Sequence, residues 1–459
     1  MKTTHMKLIA TFLLISLLFT MSAAQAETSI KLHDINMEHS GTFAADHPNV
    51  RLVQGEYPFY ETTGDLTSDL LLGAFDADVF SMDNAFIDYR VIMEKGYCLD
   101  LSGSPIIQNA MQRLHPSFAQ SCMMDGMIYA IPYNFQLNYM TISPATLALS
   151  GIGDVEIPTT FPEFLDFLEL WIEHLKKNPD CGVALLGSGY WGDPTYYYPD
   201  SYTGFLVDEL LQNYIMQMEF TGEAVSFDEA ELIPLLERCY QIGQDLYLYD
   251  PGVQANDSIL SSSGATIVRA GEDFLSLRLN SSQPKLIPTY MGVYVVNAGT
   301  QNPEVCIELL ESLCMNNQSH YTAYFYQDSV PLLDPQYDSS VENLQRLIQD
   351  TQRQLADGNL DAAYRAELEF RLERQQANLQ KLLDNEDEKY LVSAADLEHF
   401  RSYADCVFVQ MPGLFNANDV ENAQAFKQLK KRFCTGQMSA TELVKELNRM
   451  AWMIEMEQP

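Results

Sequence analysis

Apolar residues fall into two rhythms along this chain. Short runs of four to seven residues recur between polar or Gly/Pro-broken stretches: Val50–Val53, Ala77–Phe80, Met127–Ile131, Tyr139–Ile142, Gly182–Leu186, Ala265–Val268 and Tyr290–Val296. Their length and β-branched content predict strands. Elsewhere apolar side chains return every three or four positions. Thr160 is a suitable N-cap, Pro162 and Glu163 suit a first turn, and Phe164, Leu165, Phe167, Leu168 and Trp171 form one helical stripe. Pro303 and Glu304 open a second helix through Ile307, Leu310 and Leu313, and Ser439 caps a last one through Leu443, Leu447 and Met450. Strands alternating with helices predict α/β architecture.

The stretch from Ser340 to Lys389 has a different pattern. It contains no Pro and one Gly. Leu344, Leu347, Ile348 and Leu355 follow helical spacing, Asp357-Gly358 interrupts it, and Tyr364, Leu368, Leu372, Leu379 and Leu382 resume it. This predicts an antiparallel helical hairpin inserted over 340–389, with arms of roughly 25–30 Å at 1.5 Å per residue. A surface insertion and a partner-docking arm are the two roles such a hairpin could play.

The N-terminus carries its own signal. Lys2 and Lys7 precede a mostly apolar run from Leu8 to Met21, followed by Ala24-Gln25-Ala26. A basic start, a short apolar core and small residues at −3 and −1 predict a cleaved secretory leader over 1–26. The apolar run is shorter than the ~20 residues that a membrane span needs. The protein is therefore expected outside the cytoplasmic membrane, in a periplasm or at a cell surface. No cysteine lies near the cleavage site, so a lipid anchor is not expected. The eight cysteines are scattered singly without a CxxC pair, and read as small buried hydrophobes. Acidic residues number 63 against 27 basic, a formal net charge of −36. That balance argues against nucleic-acid and anionic-membrane partners, which need clustered Lys and Arg. The 459 residues suggest two or three domains.

Catalytic and metal sites leave characteristic spacings in a sequence. There is no GxSxG elbow, no HExxH and no GxxxxGK[ST]. His33, His39 and His47 match no zinc pattern, and Asp384–Lys389 has Lys where a calcium loop needs Gly. No catalytic residue, metal or cofactor is expected, and the chain reads as a non-enzyme.

Five ordered stretches resemble the family 1 extracellular solute-binding proteins of ABC transporters, the maltose-binding-protein-like family. Phe43–Leu52 resembles "F-x-x-x-x-P-x-V/I-x-V", Ala77–Asp83 resembles "P-D-V-x-x-x-D", and Asp125–Pro132 resembles "D-G-K-x-Y-G-x-P". Ile157–Leu165 is similar to "x-P-K-T-W-D-E-F", and Met291–Glu304 to the family's glycine, strand and N-x-x-S-x-x-P-E return. The resemblance implies a two-lobe periplasmic-binding-protein-like α/β fold (type II), here with the inserted C-terminal hairpin. It implies lobe one over 27–137 plus 287–330 and lobe two over 138–286 plus 331–459. The family's first strand and helix are expected to be compressed or missing, because few residues separate Ala26 from Phe43.

What the resemblance implies for function is capture of a carbohydrate, an oligosaccharide in size, between the lobes and its delivery to ABC permease subunits by a monomer. Aromatic faces stack on sugar C–H surfaces and carboxylates accept hydroxyl hydrogen bonds. The stretch Gly189–Tyr202 is rich in aromatics and follows a predicted strand, where α/β folds place ligands. Tyr190, Trp191 and Tyr196 are its candidates. Asp83 and Asn84 end a predicted strand, Tyr133 and Phe135 lie at the first crossover, Tyr290 at the second, and Arg269 follows another strand. A polyamine or iron-chelate binder and a secreted polysaccharide-processing enzyme are the alternatives; the acidic balance suits a cationic ligand.

Overall fold

The computed structural model describes residues 28–36, 43–58, 60, 62–83, 87–186, 200–252, 257–265, 268, 270–271, 273–316, 323–324, 326–356, 361–410 and 420–457. It divides into two compact units. The first gathers Met1–Gln112, Ala119–Tyr133 and Gly292–Asn317; the second holds Arg113–Phe118, Asn134–Met291 and Gln318–Pro459. The chain thus passes from one to the other at 133/134, 291/292 and 317/318, apart from the short excursion of 113–118. The sequence placed these passages after 137, 286 and 330. Both long strands, Ile131–Ile142 and Lys285–Val296, run through a passage, so apolar periodicity offers no mark of the division.

The sheet of the first unit orders Val50–Gln54, Thr28–His33, Val79–Asp83 and the end of Lys285–Val296. The first three strands are parallel, with Leu32 beside Val79 and His33 beside Phe80. The last is antiparallel, placing Gly292 opposite Asp83 and Tyr294 opposite Ser81. Ile30, Leu32, Val79, Phe80, Val293 and Val295 are fully buried. The expected compression falls on the helix: the strand Thr28–His33 is present, while the helix after it is a single turn, Phe43–Asp46. The helix Thr63–Leu72 starts on Thr62, whose side chain accepts from the Asp65 amide, and stops at Gly73, whose φ of 68° suits a residue without Cβ.

In the second unit, Val183–Leu186 runs parallel to Asp257–Ala265, which pairs antiparallel with Leu137–Ile142. Lys285–Thr289 pairs in parallel with Cys406–Gln410. The helix Phe161–Lys177 begins with the predicted cap, strengthened into a reciprocal box: Thr160 Oγ1 accepts from the Glu163 amide at 3.4 Å, and Glu163 Oε2 accepts from the Thr160 amide at 3.1 Å. Its stripe, Phe164, Leu165, Leu168 and Trp171, is wholly buried against the helices Ser201–Thr221 and Glu229–Tyr249. The expected strand at Ala265–Val268 lies earlier, at Asp257–Ala265.

The hairpin forms from the helices Tyr337–Leu355 and Ala362–Asp384. Thr351 donates to Gln375 Oε1 at 3.0 Å and the Tyr337 hydroxyl donates to the Leu382 carbonyl oxygen at 2.9 Å. Ile348 and Leu368 are buried in the seam, while Phe370 is 68% exposed. All eight cysteines are free thiols, and Cys181 and Cys314 are the two not fully buried.

Candidate functional site

In the first unit, strand pairing builds a polar and aromatic platform at the carboxyl ends of two parallel strands. Thr28–His33 ends at Asp34 and Val79–Asp83 ends with Ser81, Met82 and Asp83. Ser81 and Asp83 share a face because strand side chains alternate. The antiparallel neighbour contributes Gly292 and Tyr294 opposite them. Tyr133 completes the group: its ring stacks on Tyr294 with centroids 4.1 Å apart and planes 8° from parallel. Gly292 makes this possible. A Cβ there would lie 2.6 Å from Tyr133 Cζ, so any larger residue would displace the ring from the strand backbone. Tyr294 is buried beneath, at 2% exposure, and Tyr133 is half-buried above it.

A hydrogen bond runs beside the rings. Ser81 Oγ donates to Asp34 Oδ2 at 2.9 Å. Burial, then the nearby Tyr294, Asp83 and Asp34, hold the Tyr133 phenol well above its ordinary pKa. Burial likewise pushes Tyr294 up to about 12. Both phenols therefore stay neutral donors at physiological pH. Asp34 adopts φ 52°, a left-handed conformation that costs a non-glycine residue about 1 kcal/mol or more and that clusters at functional sites. Chemically, the arrangement offers an aromatic ring face, phenol and serine hydroxyls, and two carboxylates.

The structure treats the other candidates unequally. Asp83 belongs to this platform. Tyr290 is half-buried in the strand Lys285–Val296. Phe135 is corrected: it is fully buried in the second unit, its ring against Phe118 at 5.5 Å, Tyr324 at 5.9 Å and Phe400 at 6.5 Å. It packs a core and has no face for a ligand, because its neighbours, distant in sequence, close over it. Asn84, Tyr190, Trp191, Tyr196 and Arg269 lie outside the described residues.

Sequence reasoning missed Tyr294, Asp34 and Ser81, whose meeting depends on strand register. It also missed Asp250, a buried carboxylate in the second unit. Asp250 accepts from Trp171 Nε1 at 3.0 Å, the Tyr202 hydroxyl at 2.5 Å, the Leu185 amide at 2.8 Å and the Gly252 amide at 2.8 Å. It thereby ties the strand Val183–Leu186 to the start of the helix Ser201–Thr221, the two elements between which the aromatic stretch falls in sequence. Burial raises its pKa against these four bonds, which favour the carboxylate. The Asp250-Pro251-Gly252 tripeptide signals a turn and not this role.

No protein-family model matches the chain, and no curated protein matches it. Solved structures do match. The cyclic α-maltosyl-1,6-maltose binding protein of Arthrobacter globiformis aligns over 93% of this chain and 98% of its own, at 12% identity and a TM-score of 0.50. A sugar transporter of Rhizobium etli, solved in an open conformation, aligns over 92% and 99%, again at 12% identity and a TM-score of 0.50. This chain has their mixed α/β fold, that of the two-lobe periplasmic binding proteins.

Proposed function

We propose that this protein is the extracytoplasmic solute-binding component of an ABC importer, and that its ligand is a carbohydrate of oligosaccharide size. The observation that carries this reading is the Tyr133–Tyr294 stack over Gly292, flanked by Asp34, Ser81 and Asp83. A sugar ring presents C–H groups to an aromatic face and hydroxyls to carboxylates at its edge, and this platform offers both. The fold supports the reading, because the two structures named above carry sugar-related names. The aromatic stretch with Tyr190, Trp191 and Tyr196, together with Tyr290, would supply further stacking surface. The protein does no chemistry on the ligand; it hands it to permease subunits, as a monomer.

Export belongs to the same reading. The leader ends at Ala26 and the first strand begins at Thr28, so cleavage would leave the sheet whole. No helix among the described residues is long and apolar enough to cross a membrane. Exported protein is expected to begin at Glu27, which N-terminal sequencing checks.

The main test starts with a panel of mono- and oligosaccharides, polyamines and amino acids, screened by thermal shift. A ligand at a hundred times its Kd stabilises by about 2.7 kcal/mol. Titration calorimetry then follows the best ligand. Tyr133→Ala is expected to weaken it about thirtyfold, ~2 kcal/mol, and Tyr133→Phe to retain most of the affinity because the ring face survives. An unchanged Kd in a folded Tyr133→Ala protein would remove the platform from the binding site. A second reading, a cationic solute such as a polyamine, is favoured by the two carboxylates beside the rings and by the net charge of −36.

A further inference from the structure

The first unit has a recess at the opposite end of its parallel strands from the tyrosine platform. It lies at the amino ends of Thr28–His33 and Val79–Asp83, beside the last turn of the helix Thr63–Leu72. Its volume is about 450 Å³, within the roughly 300–1,000 Å³ of small-molecule pockets. Leu70, Phe75 and Ala77 give it apolar lining, and Lys31, Asp76 and Asp78 bring charge of both signs.

Hydrogen bonds within the wall hold its shape. Asp78 Oδ2 accepts from the Lys31 amide at 2.8 Å, and its other oxygen accepts from the Thr300 hydroxyl. The Asn297 side chain donates to the Ala77 carbonyl oxygen at 2.9 Å and accepts from the Gly299 amide at 2.9 Å. A wall tied in this way needs little ordering when a ligand arrives. The charged pair is held differently. Lys31 Nζ meets Asp76 Oδ2, and the two side chains are 50% and 54% exposed. A pair this open to water contributes little to stability, so each charge can turn to a ligand at small cost. Asp76 Oδ1 also accepts from the Tyr57 hydroxyl at 2.6 Å, which fixes the carboxylate in place.

We infer that this recess binds a small zwitterion, a free α-amino acid with an aliphatic side chain. An ammonium and a carboxylate side by side offer charge-assisted hydrogen bonds of both signs. Lys31 takes the ligand's carboxylate and Asp76 its ammonium, while Leu70, Phe75 and Ala77 provide for the side chain. A simple anion would meet the two aspartates, and a simple cation would meet Lys31. A dipolar ligand satisfies both charges and leaves the net charge of the recess unchanged. The recess is separate from the tyrosine platform, so this inference and the carbohydrate reading stand or fall independently.

The test is titration calorimetry of the full chain with L-leucine, and with leucinamide and isocaproate, which lack its carboxylate and its ammonium. L-leucine is expected to bind one-to-one, and each analogue about tenfold more weakly or worse. Lys31→Ala and Asp76→Asn, the second keeping an acceptor for Tyr57, are each expected to weaken L-leucine by about tenfold or more at an unchanged melting temperature. Heat of dilution alone at millimolar L-leucine would overturn the inference, as would analogues that bind equally well. L-leucine binding retained in Asp76→Asn would put the amino acid elsewhere on the protein and overturn it too. Should a variant fail to fold, the analogue series on the unsubstituted chain decides.

Discussion

Glu209 shows how one side chain sets a pH dependence. In the unfolded chain its carboxyl ionises near 4.5, as an ordinary glutamate does; in the fold it holds its proton up to about 7. Between these values the folded state binds the extra proton, so stability falls as pH rises through the window and levels off above it. The groups facing it are Asp208 on its own helix and Lys430, which reaches Asp208 from the helix Val420–Cys434. Urea unfolding in choline buffer should therefore show the wild type losing about 2 kcal/mol more than Glu209→Gln between pH 5 and pH 8, less than the full shift implies because the side chain keeps some solvent contact. Parallel pH profiles for the two proteins would show that the fold does not hold this proton. Neither Glu209 nor Tyr294 was legible in the sequence. Each sits in a run whose periodicity reports only its element, and what surrounds it is supplied by chain far away. Asp83 and Tyr133 were candidates because the family resemblance places one at a strand end and the other at a crossover. Phe135 misled for the same reason, since its local position resembles that of Tyr133 and only the packing around it differs.

At the scale of elements, the clearest sequence signals were helical. The Thr160 box and the hairpin arms follow from capping chemistry and from leucines three and four apart, both local. Strands were harder. Thr28–His33 has two fully buried apolar residues, Ile30 and Leu32, and Cys406–Gln410 takes its partner from 121 positions earlier. The hairpin carries its own prediction. Its arms bond to each other, and its base is closed by Leu332 and Leu333 pairing with Val392 and Tyr390, and by the Asp334 amide donating to the Lys389 carbonyl oxygen at 2.9 Å. The ends to be joined are thus already adjacent. Replacing residues 336–388 with a short Gly/Ser linker should leave ligand affinity within about threefold, under ~0.7 kcal/mol, when measured by calorimetry. An unfolded product would show that the second unit needs the hairpin. Intact binding with lost uptake in cells would mark it as a docking arm.

Across the whole molecule, the decisive quantity is charge. A net charge of −36 gives the protein a negative field that attracts cations and leaves neutral solutes unaffected. The two readings of the ligand therefore separate on salt. A neutral oligosaccharide binds through stacking and short hydrogen bonds, which a Debye length falling from ~20 Å to ~4 Å does not reach. Its Kd should change less than twofold between 20 and 500 mM sodium chloride. A polyamine draws several charges towards Asp34, Asp83 and the surrounding field, and its Kd should weaken tenfold or more over the same range, about 1.4 kcal/mol. Calorimetry of the best panel ligand at the two salt concentrations decides the matter. A tenfold loss would end the neutral-sugar reading even if the Tyr133 platform is confirmed, because the same rings and carboxylates would then be holding an ammonium chain by cation–π and ionic contacts.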